Sequence, residues 1–254
     1  MAATNSTDQP QRRILLVDCD AFFVQVARLA DPEGAGRAEL LLVGGSSTGR
    51  GVVTSASYGA RKFGVHSAMP TAQALRLCPG AMVVPVPRNL CSEKSREIRR
   101  VLEDLAPVVQ AASIDEFYLD LSGTERLFHE SMEESAWRIR AVVLEQTEIS
   151  VSIGGGSRKM IAKLASSHAK PAGVHIVPDG KEIEFMRRLE LADIPGVGPA
   201  LLRALTDRGL VTIDDALQVQ EEWFQRWFGD QRGAWLYQRI RGIDRSSDGP
   251  HPGR

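Results

Sequence analysis

The hydrophobic and polar positions follow two alternating patterns up to residue 178. Apolar and β-branched runs predict strands, and apolar residues three or four positions apart predict amphipathic helices. The predicted strands lie at 14–17, 39–45, in the first part of 51–65, and at 108–113, 117–122 and 149–157. The predicted helices lie at 67–80, 89–107, 132–148 and 158–173. Strands that alternate with two helices on one sheet indicate an α+β fold built on an α/β-plait, the ferredoxin-like arrangement.

The pattern changes near residue 178, where the strands end and short helical segments follow. These segments are 182–189, 200–210, 212–219 and 221–242. We therefore predict a domain boundary near 178, with an all-helical domain after it. The polar ends of the chain, 1–10 and 246–254, are predicted to be flexible tails.

Composition excludes some classes of protein but does not indicate a binding partner. The chain is 43% hydrophobic and 25% charged, with a net charge of −1, so its bulk charge gives no sign of a polyanion partner. No apolar stretch approaches the roughly 20 residues of a membrane span, and the polar start lacks a secretory leader. The three cysteines are widely spaced, which favours reduced thiols over a disulfide framework or a zinc site. A cytoplasmic protein is expected.

Acidic residues mark the ends of two predicted strands. Asp18 and Asp20 end the first strand, and Asp115 and Glu116 precede the strand at 117–122. In a plait these ends are neighbours, so three carboxylates could meet there. They would repel one another without a cation, and Mg²⁺ prefers such oxygen ligands. This pattern predicts two-metal nucleotidyl transfer. A hairpin turn with solvated acids, or a nucleotide cyclase, would show the same acid pairs.

A glycine pair separates two helical segments of the last domain. Gly196-Val197-Gly198 is followed by leucines at helical spacing and then by Gly209 and Thr212. Such a turn presents backbone amides that suit a phosphate oxygen. The spacing is typical of a helix-hairpin-helix, which holds a nucleic-acid backbone without reading its sequence. An ordinary glycine-containing turn between helices is the alternative.

Five stretches occur in one order within residues 12–245: VDCDAFF, GVVTSASYGARKFGVHSAMP, SIDEFYLDLSG, SIGGGSRKMIAKLASSHAKPAG and IPGVGPALLRALTDRGLVT. Together they resemble the catalytic core of Y-family translesion DNA polymerases, nearest to the bacterial DNA polymerase IV branch. The resemblance implies a DNA-directed DNA polymerase of DNA damage repair that copies damaged or undamaged template. It also implies a ferredoxin-like palm at 11–20 and 81–178, small α/β fingers at 21–80, and a thumb with the helix-hairpin-helix at 179–245.

The resemblance implies roles for individual residues. The matched catalytic and metal-binding groups are Asp18, Asp115, Glu116 and the backbone carbonyl of Cys19, with two Mg²⁺ ions as cofactors and Mn²⁺ as a substitute. The matched dNTP-binding residues are Phe23, Ser55, Tyr58, Arg61 and Lys163. The matched DNA-backbone contacts are Gly196 and Gly198. Phe23 falls on the steric gate that excludes a 2′-hydroxyl, whereas Phe22 is expected in the core. Asp20 matches an acid that is not a direct ligand, and Lys163 by itself would be read as a solvated helix lysine.

The implied partners are primer–template DNA and dNTP, with no membrane and a monomeric protein. The family's little finger domain and its clamp-binding C-terminal peptide have no match in the sequence, so a sliding clamp is left open. Residues 179–254 carry eleven Lys and Arg against thirteen Asp and Glu, a net charge of −2. Because non-specific DNA affinity depends on phosphate neutralisation, weak, salt-sensitive binding and low processivity are expected.

Two other classes of function remain open. One is a polymerase-like accessory protein of the DNA damage response that binds partners with little or no catalysis. The other is the cyclase, which needs neither the helix-hairpin-helix nor Phe23. The presence of Asp18, Asp115 and Glu116 favours the polymerase over the accessory protein, because accessory relatives typically lose these acids.

Overall fold

The structure, a computed structural model, describes residues 12–46, 50–124 and 129–244. The predicted tails and residue 245, the last of the predicted thumb, lie outside the described residues. None of the helices in the described part of the chain is long and apolar enough to span a membrane.

Eight strands and eleven α-helices are described. The strands are β1 (Ile14–Cys19), β2 (Leu41–Gly44), β3 (Val53–Ala56), β4 (Met82–Val84), β5 (Val108–Ala111), β6 (Glu116–Asp120), β7 (Val151–Gly156) and β8 (Val174–Ile176). The helices are α1 (Phe22–Ala30), α2 (Tyr58–Arg61), α3 (Thr71–Leu77), α4 (Arg88–Leu105), α5 (Met132–Thr147), α6 (Lys159–Ala169), α7 (Glu182–Met186), α8 (Pro199–Thr206), α9 (Ile213–Leu217), α10 (Glu221–Phe228) and α11 (Asp230–Ile240). A short 3₁₀ helix spans Leu191–Asp193.

The larger sheet has the strand order β5-β6-β1-β7-β8, with β1 at its centre. The first four positions are those of a plait whose two connecting helices are α4 and α5, so the predicted α+β, ferredoxin-like fold is confirmed. The smaller sheet has the order β3-β2-β4. In it, β2 is antiparallel to β3 and parallel to β4.

Two strands were not predicted. Both β4 and β8 are only three residues long and none of their residues is buried. A strand this short shows neither a sustained apolar run nor an alternation, so the pattern has nothing to detect. Both strands are defined by pairing with a neighbour in the sheet. The strand β4 pairs with β2, and β8 pairs with β7, each in parallel register.

Contacts divide the chain into two compact units. One takes in the described residues of 1–17, 118–137 and 153–254, and the other takes in those of 18–117 and 138–152. The boundaries of the palm, fingers and thumb stay a prediction.

The helices α7 to α11 belong to the first unit and share one apolar core. Its buried residues include Phe185, Met186, Leu201, Leu205, Ile213, Phe224, Leu236 and Ile240. The segment 221–242 is not one helix, because Gly229 adopts a φ of 85° and ends α10 before α11 begins. Glycine reaches this left-handed region without the steric cost that other residues incur.

Gly233 allows α10 and α11 to approach each other closely. A Cβ at this position would overlap the backbone of Phe224 and Gln225. We therefore expect Gly233→Ala to lower the free energy of unfolding by about 2–3 kcal/mol, because backbone atoms cannot move aside as a side chain can. Thermal and urea unfolding measure this. Gly80→Ala is the matched control, since its Cβ meets only Leu40 Cδ1 at 3.8 Å. Equal effects of the two variants would contradict the prediction.

Candidate active site

The ends of β1 and β6 lie side by side in the larger sheet. The Cys19 amide donates to the Asp115 carbonyl at 3.0 Å, and the Leu121 amide donates to the Arg13 carbonyl at 2.9 Å. This order of pairs means that the two strands run antiparallel. The carboxyl end of β1, with Asp18, therefore lies beside the amino end of β6, where the second acid pair is found.

The second acid pair belongs to the β5–β6 hairpin. Since β6 begins at Glu116, Asp115 precedes the strand, and the alternation of strand side chains does not hold the two to opposite faces. The Ala112 amide donates to the Glu116 carbonyl at 2.9 Å, which closes the hairpin. The Ser113 hydroxyl donates to Asp115 Oδ1 at 2.5 Å. The pair is thus placed at a strand end by backbone bonds.

The carboxylate and carbonyl oxygens at this edge are ligands of the kind that a hard divalent cation binds. Asp18 is only 6% exposed, and Asp115 and Glu116 are half-buried. Across the three described ranges, no group of three or more His, Cys, Asp or Glu side chains is arranged to hold a metal ion. The Ser113 hydroxyl engages Oδ1 of Asp115, and the other carboxylate oxygen makes no bond with Ser113.

Asp20 is held by a network of its own. Its side chain is 4% exposed. Oδ1 accepts from the Ser152 hydroxyl at 2.7 Å, and Oδ2 accepts from the Ser150 hydroxyl at 2.9 Å. The Tyr58 hydroxyl donates to Oδ1 over a longer 3.4 Å. A buried carboxylate with these donors is satisfied within the protein.

Gln25 clamps the same turn through the backbone. Its Nε2 donates to the Asp20 carbonyl at 2.5 Å and to the Ser150 carbonyl at 2.9 Å, and its Oε1 accepts from the Ser150 amide at 2.7 Å. Between β1 and α1, Ala21 has a φ of 43°, a left-handed conformation that is uncommon for a non-glycine residue. Such a conformation persists where its surroundings fix it, and the Gln25 bonds do so.

Tyr58 and Arg61 lie at the two ends of α2. The guanidinium carbon of Arg61 is 5.0 Å from the centroid of the Tyr58 ring, and Arg61 Nε donates to the Ala56 carbonyl at 2.9 Å. Burial, and after it the Asp20 carboxylate, raises the pKa of Tyr58 to about 12. The hydroxyl therefore keeps its proton near neutral pH and remains a hydrogen-bond donor.

Ser57 fixes where α2 begins. Its hydroxyl oxygen accepts from the Ala60 amide at 3.3 Å, as an N-cap does, and from the Leu41 amide at 3.1 Å. The same hydroxyl donates to the Glu39 carbonyl at 2.9 Å. These bonds attach the short helix to β2 and set its direction.

Phe23 and Ser55 lie in the same compact unit as the acids. Phe22 is 2% exposed and fully in the core, as expected, whereas Phe23 is partly buried. Phe23 packs against the cluster of Ala21, Val24, Ala27, Ala35, Leu41 and Val43, which Tyr58 also contacts. Ser55 is 5% exposed and pairs with Val43 across β2 and β3.

Lys163 belongs to the other compact unit. It lies on α6 and is half-buried, and its carbonyl accepts from the Ser166 hydroxyl at 2.8 Å. Its contact with a nucleotide stays a prediction.

The two glycines of the hairpin differ in what the fold requires of them. Gly196 has a φ of 97°, and a Cβ there would lie 2.7 Å from the ring of Trp235, so the fold itself requires glycine. Gly198 is the N-cap of α8 with a φ of −84°, and a Cβ there would meet nothing within 4 Å. No side chain caps α8 at this end. Gly198 thus leaves open space at the start of α8, whose first residue, Pro199, has no amide N–H.

Sequence reasoning did not find Gln25, Ser150 and Ser152 as part of the site. Ser150 directly precedes β7 and Ser152 lies within it, but their spacing of two does not show which side chain they meet across the sheet. Gln25 gave no signal either, because the bonds that it makes depend on the turn at Ala21.

Two family models match the chain. The first, described as "impB/mucB/samB family", matches residues 17–167. The second, described as "DNA polymerase-iota, thumb domain", matches residues 192–244.

Known proteins resemble the chain over most of its length. It is 40% identical to a DNA polymerase IV of Treponema denticola over 89% of its residues, and 38% identical to one of Staphylococcus haemolyticus over 93%. It covers 56% and 65% of those two relatives, so it spans less than two thirds of their length. The solved structure titled "Crystal Structure of DinB from Sulfolobus solfataricus" is 30% identical, with a TM-score of 0.80 over 91% of this chain and 67% of that one. One titled "Insertion ternary complex of Dbh DNA polymerase" is 29% identical, with a TM-score of 0.79 over 91% of this chain and 68% of that one.

Proposed function

Because the chain belongs to the impB/mucB/samB family of Y-family DNA polymerases, we propose that it is the catalytic core of a DNA-directed DNA polymerase of the translesion type. It joins a dNTP to a primer 3′-hydroxyl on damaged or undamaged template. The observation that carries the proposal is the antiparallel pairing of β1 and β6, which places Asp18 beside Asp115 and Glu116. Acids that meet at one strand edge could hold the two metal ions that stabilise the attacking and leaving oxygens in such a transfer.

Asp18, Asp115, Glu116 and the Cys19 carbonyl would hold two Mg²⁺ ions, or Mn²⁺ in their place. When bound, such ions supply Lewis-acid activation of a hydroxyl and neutralise phosphate charge. The chain's own contribution is to pair β1 with β6, so that the backbone positions of the three acids meet at one edge of the sheet. Release of Asp115 from the Ser113 hydroxyl would let that carboxylate turn toward the ions.

The residues of α1 and α2 would receive the nucleotide. The Arg61 guanidinium offers the forked donors that phosphate oxygens favour, and the protonated Tyr58 hydroxyl adds another donor. Lys163 would contribute a further positive charge to the triphosphate and the leaving pyrophosphate. Phe23 would lie under the sugar and exclude a ribonucleotide. Ser55, buried in β3, would complete the nucleotide contacts.

The helical segment after residue 178 would hold the DNA backbone. Gly198 leaves open space at the start of α8, where its own amide and the amides that follow Pro199 could meet a phosphate oxygen. Residues 179–254 have a net charge of −2. Their contribution to DNA binding would therefore be weak and salt-sensitive, and synthesis by residues 1–254 alone would have low processivity.

A single-nucleotide primer extension tests the proposal. The chain is incubated at low salt with Mg²⁺ or Mn²⁺, a labelled primer–template and one dNTP at a time. Extension only by the dNTP complementary to the template base is expected. A folded protein that binds the DNA but extends no primer would overturn the proposal in favour of the accessory protein. Template-independent formation of a cyclic nucleotide from ATP or GTP would instead support the cyclase.

Substitutions at the two hairpin glycines should distinguish an effect on DNA binding from an effect on stability. We expect Gly198→Ala to weaken primer–template binding about tenfold, because a methyl group would fill the space where a phosphate approaches, at a cost of at most about 1 kcal/mol in stability. Gly196→Ala, its matched partner, should lower stability by about 1–3 kcal/mol through its positive φ and Trp235. Fluorescence anisotropy and thermal unfolding measure the two effects. Wild-type DNA affinity in Gly198→Ala would remove Gly198 from the interface.

A further inference from the structure

Asp20 connects three separate stretches of the second unit through one carboxylate. It follows β1, its two serine donors belong to 150–152, and its third donor, Tyr58, opens α2. Its amide donates to the Ser150 carbonyl at 3.0 Å, and its carbonyl accepts from Gln25. Both the backbone and the side chain of Asp20 are therefore fixed by hydrogen bonds, and the fold determines the position of the carboxylate group.

The bonds to Asp20 differ in length in a way that matters. The two serine hydroxyls lie at 2.7 and 2.9 Å, the normal range for O–H donors, whereas the Tyr58 hydroxyl lies at 3.4 Å. The serines thus hold the carboxylate firmly, and the carboxylate holds the tyrosine loosely. A donor held in this way is oriented but remains able to turn to a stronger acceptor such as a phosphate oxygen.

Tyr58 passes this orientation on to Arg61. The arginine lies one helical turn further along α2, with its guanidinium carbon 5.0 Å from the tyrosine ring centroid. The arginine is exposed, and its Nε bond to Ala56 fixes only the inner end of the guanidinium. The position of the tyrosine ring therefore limits where the outer nitrogens of the guanidinium can lie.

We infer that Asp20 is a positioning residue that, through Tyr58, sets Tyr58 and Arg61 to receive the triphosphate of the incoming nucleotide. The inference rests on the proposed function. Asp20 touches neither the nucleotide nor an ion, and its effect is to reduce the number of side-chain arrangements that the nucleotide must select from. Its loss should weaken nucleotide binding and leave the carboxylate edge of β1 and β6 intact.

Kinetics of Asp20→Asn, Tyr58→Phe and the double variant test the inference. Asparagine keeps the size of the side chain and an acceptor oxygen for one serine, while its NH₂ can donate to the hydroxyl of the other, and it removes the charge. We expect Asp20→Asn and Tyr58→Phe each to raise KM for the dNTP about fivefold to tenfold, with kcat changed less than about twofold. In the Tyr58→Phe background, Asp20→Asn should have little further effect, because the hydroxyl through which it acts is already gone. DNA affinity and thermal stability should stay near wild type.

A second readout does not depend on catalysis. The chain contains three tyrosines, so a protein labelled with 3-fluorotyrosine gives three ¹⁹F resonances, and Tyr58→Phe identifies that of residue 58. Asp20→Asn should shift or broaden this resonance and leave those of Tyr118 and Tyr237, which lie in the other unit, unchanged. Ser150→Ala is the matched control, since it removes one bond to Asp20 without changing the charge, and should shift the resonance less.

The outcomes separate the inference from the proposed function. If the wild-type chain extends no primer, the proposed function fails, and the ¹⁹F spectra still decide whether Asp20 orients Tyr58. If it does extend primers, additive KM effects in the double variant, or an unchanged Tyr58 resonance in Asp20→Asn, would overturn the positioning role. A fall in kcat and stability with KM unchanged would instead show that Asp20 only holds the fold together.

Discussion

The double variant Asp115→Ala, Glu116→Ala is expected to incorporate nucleotides at least about 10³-fold more slowly than the wild type. The antiparallel pairing of β1 and β6 places these acids beside Asp18. Removing two of three carboxylates would leave too little negative charge to hold the two cations. Those cations are worth several kcal/mol to the transition state, and each 1.36 kcal/mol is tenfold in rate. Single-turnover extension at saturating dNTP, with Mg²⁺ and with Mn²⁺, measures the loss.

The fold should survive this change. The pair precedes or begins β6, and the hairpin is held by backbone bonds to the Glu116 carbonyl, which alanine retains. Glu103→Ala, Asp104→Ala is the matched control, because it removes an adjacent, exposed acid pair from the end of α4. It should extend primers at the wild-type rate. Residual activity above a tenth of wild type in the Asp115, Glu116 variant would contradict the assignment of these acids as catalytic.

Much of the fold follows from patterns that the chain carries locally. The strand β1 is completely buried and begins with the apolar run Ile14 to Val17, whereas α4 buries Ile98 and Leu102 at helical spacing, so each element shows a pattern typical of its secondary structure. The plait then follows from their order along the chain. The strands β4 and β8 do not follow, because a partner strand in the sheet determines them and their own three residues do not.

The candidate site, like the fold, could be predicted from the sequence only in part. Asp18, Asp115 and Glu116 could be predicted because they stand at the ends of recognisable strands, and strand ends meet in a plait. The Asp20 network could not, since it needs the left-handed turn at Ala21 and the register of β7 beside β1. Such bonds join residues up to 132 positions apart, and no periodicity along the chain encodes which pairs will meet.

Removing the ring of Phe23 is expected to lower the selectivity for deoxynucleotides over ribonucleotides more than it lowers the rate of deoxynucleotide incorporation. Phe23 lies partly buried on the cluster that also supports Tyr58, and its fully buried neighbour Phe22 packs edge-on against it, with 5.5 Å between the ring centroids. The ring thus has a rigid support on one side, and in the proposed nucleotide site it would not yield to a 2′-hydroxyl on the other side. We expect Phe23→Ala to raise the ratio of ribonucleotide to deoxynucleotide kcat/KM about 10²-fold.

A graded series tests whether this change is steric. Phe23→Leu keeps much of the apolar volume and should relax the choice less than Phe23→Ala, whereas Phe23→Tyr, which keeps the ring, should leave it near wild type. Competition between a dNTP and its matching rNTP at one template position measures the ratio, and thermal unfolding shows how far each variant disturbs the Val24 and Leu41 cluster. Equal ratios in the alanine variant and the wild type, in a folded and active protein, would mean that another group selects the sugar, and that Phe23 belongs to the core as Phe22 does.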